Sequence, residues 1–315
     1  MRDKDNITER QGNKCWKCGD PAVIHRKYEG KSWCSEHFTE QFESLVKGTI
    51  RENDLFESDD KVCVALSGGM DSSALLFFLS DLFKDWRNAD LFALAIDEGI
   101  EDYRDESIEI AEELCRDLGV DLHIASFKEA FGKTLDEIME DKEYGCTYCG
   151  VLRRWLLNRK SRELGATKLA TGHNMDDELQ SIFMNYLRGN MNRMVRLGAK
   201  PAVLDNEKFI PRVKPFRDTP EREIALYGRL RGIDLHQTEC PYVDNSLRFD
   251  VRDFLNDMEA KRPSTKYTSL RAFDKLLPAL QNMFSGDDSS VKECDFCGEI
   301  TSGDICKTCQ LREKI

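Results

Sequence analysis

A chain of 315 residues, 40% hydrophobic and 33% charged, has room for one sizeable core with small appendages and is composed like neither a disordered nor a membrane protein. A net charge of −12 excludes a protein that coats nucleic acid non-specifically, since that mode needs surplus Lys and Arg, so any RNA site must be a local basic face. The opening MRDKDNITER lacks an apolar stretch, and nowhere do the roughly 18 apolar residues of a membrane span run together, so a cytoplasmic protein with no membrane attachment is expected.

In a reducing compartment twelve cysteines are expected as metal ligands, not disulfides. The first set lies in an N-terminal segment, residues 1–45. Cys15-Trp-Lys-Cys18 is followed after fifteen residues by Cys34-Ser-Glu-His37, two short knuckles whose four ligands suit a closed tetrahedral zinc site. His25 lies between the knuckles, but the two-residue gap after Cys34 favours His37 as the fourth ligand. So small a piece has little core of its own and needs a metal to fold.

From about residue 50 to 285 the pattern changes to alternating strands and helices. Lys61–Leu66 and Leu91–Ile96 read as buried strands, Ser72–Phe83 and Asp105–Leu118 as helices, the second stopped by Gly119. Leu122–Ala125 and Lys168–Thr171 continue the series. The alternation predicts an α/β domain with a parallel sheet, helices on both faces and ligands at the carboxyl ends of the strands. Cys63 and Cys115 stand alone in apolar contexts and are expected in the core.

The first strand runs into Ser67-Gly68-Gly69-Met70-Asp71-Ser72-Ser73 and then a helix. Two glycines let the backbone approach an anion, hydroxyls and N–H groups donate to it, and the helix N-terminus adds favourable potential. Neither a Walker loop nor a dinucleotide fingerprint fits. The segment resembles the PP-loop of ATP pyrophosphatases, which release pyrophosphate while adenylylating a carbonyl oxygen. Asp97, ending the second strand, falls where a ribose or adenine contact would come.

Next come Gly145-Cys146-Thr-Tyr-Cys149-Gly150 and, much later, Cys240. Three thiolates can hold a [4Fe-4S] cluster and leave one iron open; a redox CxxC with Cys240 incidental, or a third zinc site, fits the same spacing. Gly172-His-Asn-Met-Asp176-Asp177-Glu178 ends one strand and opens a helix. Carboxylates there would oppose a triphosphate unless Mg²⁺ bridges them, although an acidic helix start also serves as a cap. Arg188, Arg193, Arg196, Lys200, Arg212, Lys214 and Arg217 then reverse the chain's overall sign, the expected footprint of a phosphate-binding face. Arg26, Lys27 and Lys31 on the first finger are placed to help grip a folded RNA.

After a linker at Ser285–Ser290, the tail (residues 290–315) repeats the knuckle idea with Cys294-Asp-Phe-Cys297 and Cys306-Lys-Thr-Cys309. A second zinc is expected there, with an iron-sulfur cluster as the alternative for four thiolates.

The Cys15/Cys18/Cys34/His37 finger, the Ser67–Ser72 loop, the Cys146/Cys149/Cys240 trio, the Gly172–Glu178 segment and the Cys294/Cys297/Cys306/Cys309 finger together resemble the TtuA-like tRNA 2-thiouridine synthetases, relatives of the TtcA cytidine thiolases, across nearly the whole chain. The resemblance implies an adenine nucleotide alpha hydrolase-like PP-loop domain flanked by two zinc fingers. In such an enzyme ATP with Mg²⁺ adenylylates the C2 oxygen of a tRNA uridine, and sulfur then replaces that oxygen. It implies a [4Fe-4S] cluster on Cys146, Cys149 and Cys240, and ATP held by Ser67, Gly68, Gly69, Asp71, Ser72, Asp97, Gly172 and Asp177. Catalytic roles fall to Asp71 and Asp177, with Asp176 the alternative to the latter, and to Arg153 for phosphate contact and charge stabilisation. A homodimer and a sulfur donor, sulfide or a carrier protein, are implied too. Two departures stand out: Met70 replaces a common Lys, and Arg153-Arg154 stand where some relatives have a Lys, and arginine is no base at neutral pH. The rival readings are tRNA cytidine 2-thiolation, an amidotransferase or ligase of the same fold, and a metal-binding redox sensor or scaffold.

Overall fold

The computed structural model describes residues 14–86, 88–140, 145–199, 208–233, 240–242, 247–284 and 292–315, and the side chain of Cys146 lies outside the described residues. Elements are numbered as they occur among those residues. Five parallel strands form the central sheet: β3 (Lys61–Ala65), β4 (Asp90–Asp97), β5 (Asp121–Ser126), β6 (Lys168–Ala170) and β7 (Arg212–Val213). Their order is β5-β4-β3-β6-β7, so the chain winds outward from β3 in one direction and later resumes on its other side. That reversal makes a crevice at the carboxyl ends of β3 and β6, where doubly wound sheets bind ligands.

Strand alternation explains the two layers. Val62 and Val64 pack with Leu75 and Leu79 of α2 (Met70–Phe83), together with Ala111 and Cys115 of α3 (Arg104–Leu118). Cys63, Phe92, Leu94 and Ile96 turn the other way, onto Leu152 and Leu156 of α6 (Gly145–Glu163). Both lone cysteines are buried in these layers. Gly119 caps α3 at φ 66°, the left-handed conformation that stops a helix. Short helices α4 (Phe127–Phe131) and α5 (Leu135–Met139) join this second layer through Phe127, Leu135 and Ile138. A third apolar cluster joins α7 (Met175–Leu187), α8 (Met191–Met194), α10 (Leu247–Lys261) and α11 (Thr265–Phe284) through Leu179, Val251, Leu255 and Phe273.

The N-terminal hairpin, β1 (Ile24–Arg26) with β2 (Lys31–Trp33), leads into α1 (Ser35–Glu52). This helix begins at Cys34, carries His37 in its first turn, and buries Phe38, Phe42 and Val46 in the same core as the sheet. Phe42 stacks on Tyr227 of α9 (Glu221–Leu230) with centroids 4.2 Å apart. Fully burying such a side chain contributes about 1.5–3 kcal/mol, so the finger is welded to the larger unit, not tethered to it. Arg26, expected to face RNA, is instead buried and paired with Glu223 at 2.8 Å. At the other end β8 (Lys292–Glu293), β9 (Ile300–Thr301) and α12 (Lys307–Arg312) dock on α6, where Arg162 forks onto the Glu299 carboxylate. The linker at 285–290 lies outside the described residues. Among the described residues no helix is long and apolar enough to cross a membrane.

A candidate nucleotide and metal site at the carboxyl edge of the sheet

Beyond the last residue of β3 the backbone must turn sharply into α2. Gly68 takes φ +78°, and a Cβ there would lie 2.3 Å from the Ser107 carbonyl oxygen, so only glycine fits. Gly69 is the N-cap of α2. The turn is tied internally: the Ser67 N–H donates to Ser72 Oγ at 3.1 Å, and the two hydroxyls lie 3.0 Å apart. Arg104, buried at the start of α3, donates from Nη1 to the Ser67 carbonyl at 3.0 Å and fixes the loop from outside.

The segment after β6 closes on this loop from the next strand over. A Cβ at Gly172 would fall 2.8 Å from the Asp71 carbonyl carbon, so that glycine permits the approach. Asn174 caps α7, accepting from the Asp177 N–H at 3.0 Å, while Asp177 Oδ2 accepts from the Asn174 N–H at 3.3 Å. The capping role is therefore real, yet the Asp177 side chain also lines the cavity and its Oδ1 lies 3.4 Å from Arg248. Asp176 points elsewhere, accepting from the Glu221 N–H at 2.9 Å and from Lys266. Of the two adjacent carboxylates, only Asp177 reaches the cavity.

That cavity, of about 930 Å³, is lined by Ser67, Asp71, Ser72, Gly172 and Asp177 on the loop side and by Arg153 and Arg154 on the α6 side. Burial, reinforced by the Asp177, Glu221 and Asp176 carboxylates, pushes Asp71 up to about 8. Burial likewise raises Asp177. Carboxylates crowded in this way favour a shared cation. His173, whose Nδ1 lies 2.8 Å from Thr171 Oγ1, is held down to about 4 by its surroundings and then by the Lys214 ammonium, so its ring stays neutral.

Arg153 links the loop side to the cysteines. Burial works against its charge, but Cys149 and Glu98, then Tyr103 and Cys240, hold the guanidinium above its usual range. Cys149 and Cys240 both pack on the apolar layer beneath α6; the side chain of Cys146 lies outside the described residues. The structure thus brings Cys149 and Cys240, far apart in sequence, onto one apolar layer.

Asp97 does not line the cavity; its Oδ1 accepts from the Gly99 N–H at 2.8 Å and shapes the turn. The next residue does. Glu98, almost fully buried, sits between Arg104 (3.0 Å) and Arg153 (3.4 Å). Sequence reasoning passed over Glu98 and Arg104, whose signals were only a position one past a strand end and a charge at a helix start. Met70 also departs from expectation: it lies against Gly228 of α9, where a Cβ would come 2.5 Å from its Sδ, and it is absent from the cavity wall. Of the basic stretch, Arg212, Lys214 and Arg196 line the cavity, Arg188 and Arg193 are exposed, and Lys200 lies outside the described residues. Arg217 is buried among Glu178, Asp218 and Asp274 and is a structural cation, not an RNA-facing one.

The two terminal cysteine sets are each gathered. The ligand atoms of Cys15, Cys18, Cys34 and His37 lie within 4.8 Å of one another, as do those of Cys294, Cys297, Cys306 and Cys309. Cys18–Cys34 and Cys297–Cys306 sulfur separations of 3.7 and 3.6 Å match the roughly 3.8 Å between thiolates around a tetrahedral zinc with 2.3 Å bonds. His25 is not in the group; its Nδ1 lies 2.9 Å from Ser32 Oγ.

A PP-loop domain model matches residues 34–258, and a model of the N-terminal LIM domain of the 2-thiouridine synthetase TtuA matches residues 14–39. The chain is 36% identical to the tRNA 2-thiolation protein NcsA of Haloferax volcanii, over 96% of this chain and 99% of that one. It is also 36% identical to the cytoplasmic tRNA 2-thiolation protein 1 of Chlamydomonas reinhardtii, over 95% and 84%. Among solved structures, the U34-tRNA thiolase NcsA of Methanococcus maripaludis with its [4Fe-4S] cluster superposes with a TM-score of 0.83 at 34% identity, covering 96% of each chain.

Proposed function

The chain belongs to the PP-loop family of tRNA 2-thiolation proteins, and from that premise we propose that it is an ATP-dependent tRNA sulfurtransferase converting a uridine to 2-thiouridine. The observation that carries this reading is one cavity shared by the Ser67–Ser72 loop, the Asp71 and Asp177 carboxylates and Arg153, with Cys149 and Cys240 packed on the same apolar layer.

In this reading the loop N–H groups and hydroxyls at the start of α2 bind the ATP phosphates. Asp71 and Asp177 would hold the Mg²⁺, whose charge would offset their mutual repulsion. The uridine C2 oxygen attacks the α-phosphorus and pyrophosphate leaves; sulfur then attacks C2 and AMP leaves, taking the original oxygen with it. Arg153 supports the negative charge of both steps without exchanging a proton. Cys146, Cys149 and Cys240 would hold the [4Fe-4S] cluster that the M. maripaludis structure carries, and three thiolates leave one iron open to supply sulfur. The apolar bed beneath Cys149 and Cys240 fits such a group.

The finer parts of the reading are a zinc ion in each terminal finger, a cytoplasmic location like that of the Chlamydomonas relative, and a homodimer. The sulfur donor is sulfide or a carrier protein. The wobble uridine is the target by likeness to the U34 thiolase. The test is pyrophosphate release from ATP that depends on tRNA, followed by mass spectrometry of mapped tRNA nucleosides. A 2-thiocytidine product, or release independent of tRNA, would overturn the reading.

A further inference from the structure

Six cations line the main cavity: Arg104, Arg153, Arg154, Arg196, Arg212 and Lys214. Glu98 answers Arg104 and Arg153, and Glu178 answers Lys214 at 2.8 Å. Among the described residues Arg154, Arg196 and Arg212 form no ion pair with a carboxylate. Arg212 is the most confined of the three. Its Nη2 donates to the Arg154 carbonyl at 3.2 Å, and its buried Nε makes no hydrogen bond. The Arg154 guanidinium folds back over Gly150, one residue past Cys149, with Nη1 3.2 Å from where a Cβ would stand.

Burial and the charge of Arg154 lower Arg212 to about 10, and burial with Arg153 and Arg193 lowers Arg154. A half-buried Arg212 without an acid, next to the backbone of an exposed and equally unpaired Arg154 on the same cavity wall, is costly unless an anion completes it, and the planar forks match phosphate oxygens.

We propose that Arg154 and Arg212 form a phosphate subsite, separate from the Ser67–Ser72 loop, that clamps a backbone phosphodiester of the tRNA beside the nucleotide entering the cavity. This rests on the reading that tRNA enters this cavity. Two observations favour RNA over an ATP phosphate. The nucleotide loop follows β3, whereas Arg212 is carried by β7, two strands away at the sheet edge. From there Arg196 and the exposed Arg193 and Arg188 of the α7–α8 region continue the positive track outward to solvent, as a groove following a phosphate backbone requires.

The experiment uses anaerobically purified holoprotein and an unmodified tRNA transcript, with affinity measured across a salt series, and ATP affinity measured separately by calorimetry. Arg154→Gln and Arg212→Gln should each weaken tRNA binding about tenfold and reduce the slope of log K against log salt by about one. The double variant should lose no further slope, because both groups hold one phosphate. Arg212→Lys should keep the slope, since the charge remains, and still lose affinity with the fork; this covers a glutamine variant that fails to fold. ATP affinity should stay within twofold. An unchanged tRNA salt slope in the folded glutamine variants, or an Arg212→Lys protein with wild-type tRNA affinity, overturns the subsite. A tenfold loss of ATP affinity with tRNA binding intact overturns it in favour of a nucleotide-phosphate clamp. Wild-type protein that binds no tRNA overturns the underlying reading as well.

Discussion

The Asn174 side-chain amide donates to Asp71 Oδ2 at 3.1 Å, joining two loops 103 positions apart in the chain. The same side chain caps α7, so one residue both starts a helix and steadies a carboxylate of the other loop. Asn174→Ala should therefore lower stability by about 1 kcal/mol through the lost cap, whereas Asn174→Asp keeps the cap acceptor but sets a carboxylate against Asp71 in a site already crowded with acids, and so costs stability as pH rises. Both remove the donor to Asp71. Each should reduce tRNA-dependent pyrophosphate release about tenfold, the scale of a lost hydrogen bond to a charged group. Thermal melts read beside initial rates separate the two effects. An Asn174→Asp protein with wild-type rates would show that the bond to Asp71 is idle.

Glu98 is the shared counter-ion of Arg104 and Arg153, and Arg104 in turn holds the Ser67 carbonyl. Glu98→Gln should destabilise by about 3 kcal/mol, because it leaves a buried guanidinium without its charge partner. It should also raise the KM for ATP as the loop loosens. Urea unfolding and ATP titration are the checks, and an unchanged KM would mean that the loop does not depend on this bridge.

Met70→Lys restores the residue common among the resembling proteins, yet the side chain packs on Gly228 and not into the cavity. No gain in ATP affinity is expected. Driving a longer, charged chain into that contact should cost about 1–3 kcal/mol, comparable to overpacking by Gly228→Ala. A calorimetric increase in ATP affinity would show that the helix start rearranges to present the ammonium.

Metal analysis of anaerobically prepared protein should return two zinc and four iron per chain, the content that two knuckle sites and one [4Fe-4S] cluster require. Cys18→Ser should lose one zinc and lower the melting temperature, since α1 starts at the ligand Cys34 and is part of the main core. Cys63→Ala and Cys115→Ala, both in the core layers, should leave the metals unchanged.

Cys240→Ser should lose the cluster and tRNA thiolation together while retaining tRNA-dependent pyrophosphate release. Adenylylation draws on the loop, the carboxylates and Mg²⁺, none of which needs iron. Sulfur insertion needs its donor held against the activated carbon, where orientation supplies a large effective concentration. Thiolation at the wild-type rate by cluster-free protein would make the cluster structural.

Much of this protein is determined locally and was therefore legible in its sequence. A strand, a Gly-Gly turn and a helix start follow one another within fifteen residues, from Lys61 to Ser73, and short continuous apolar runs announce buried parallel strands. Knuckle spacing reports ligand geometry for the same reason: a tetrahedral ion restricts the short loop that spans two of its ligands. Tertiary structure alone decided which charges are buried and which carboxylate each one meets. Arg26 and Arg217 read as surface cations but are locked to Glu223 and to Asp274, partners 197 and 57 positions away. Met70 reads as a phosphate-loop residue but faces α9, and Asp97 yields the cavity wall to Glu98. A sequence pattern gives the period of a side chain along its own element. Its partner across the core depends on how two distant elements pack, and that is set by the summed fit of apolar surfaces such as Phe42 on Tyr227, which no local signal encodes.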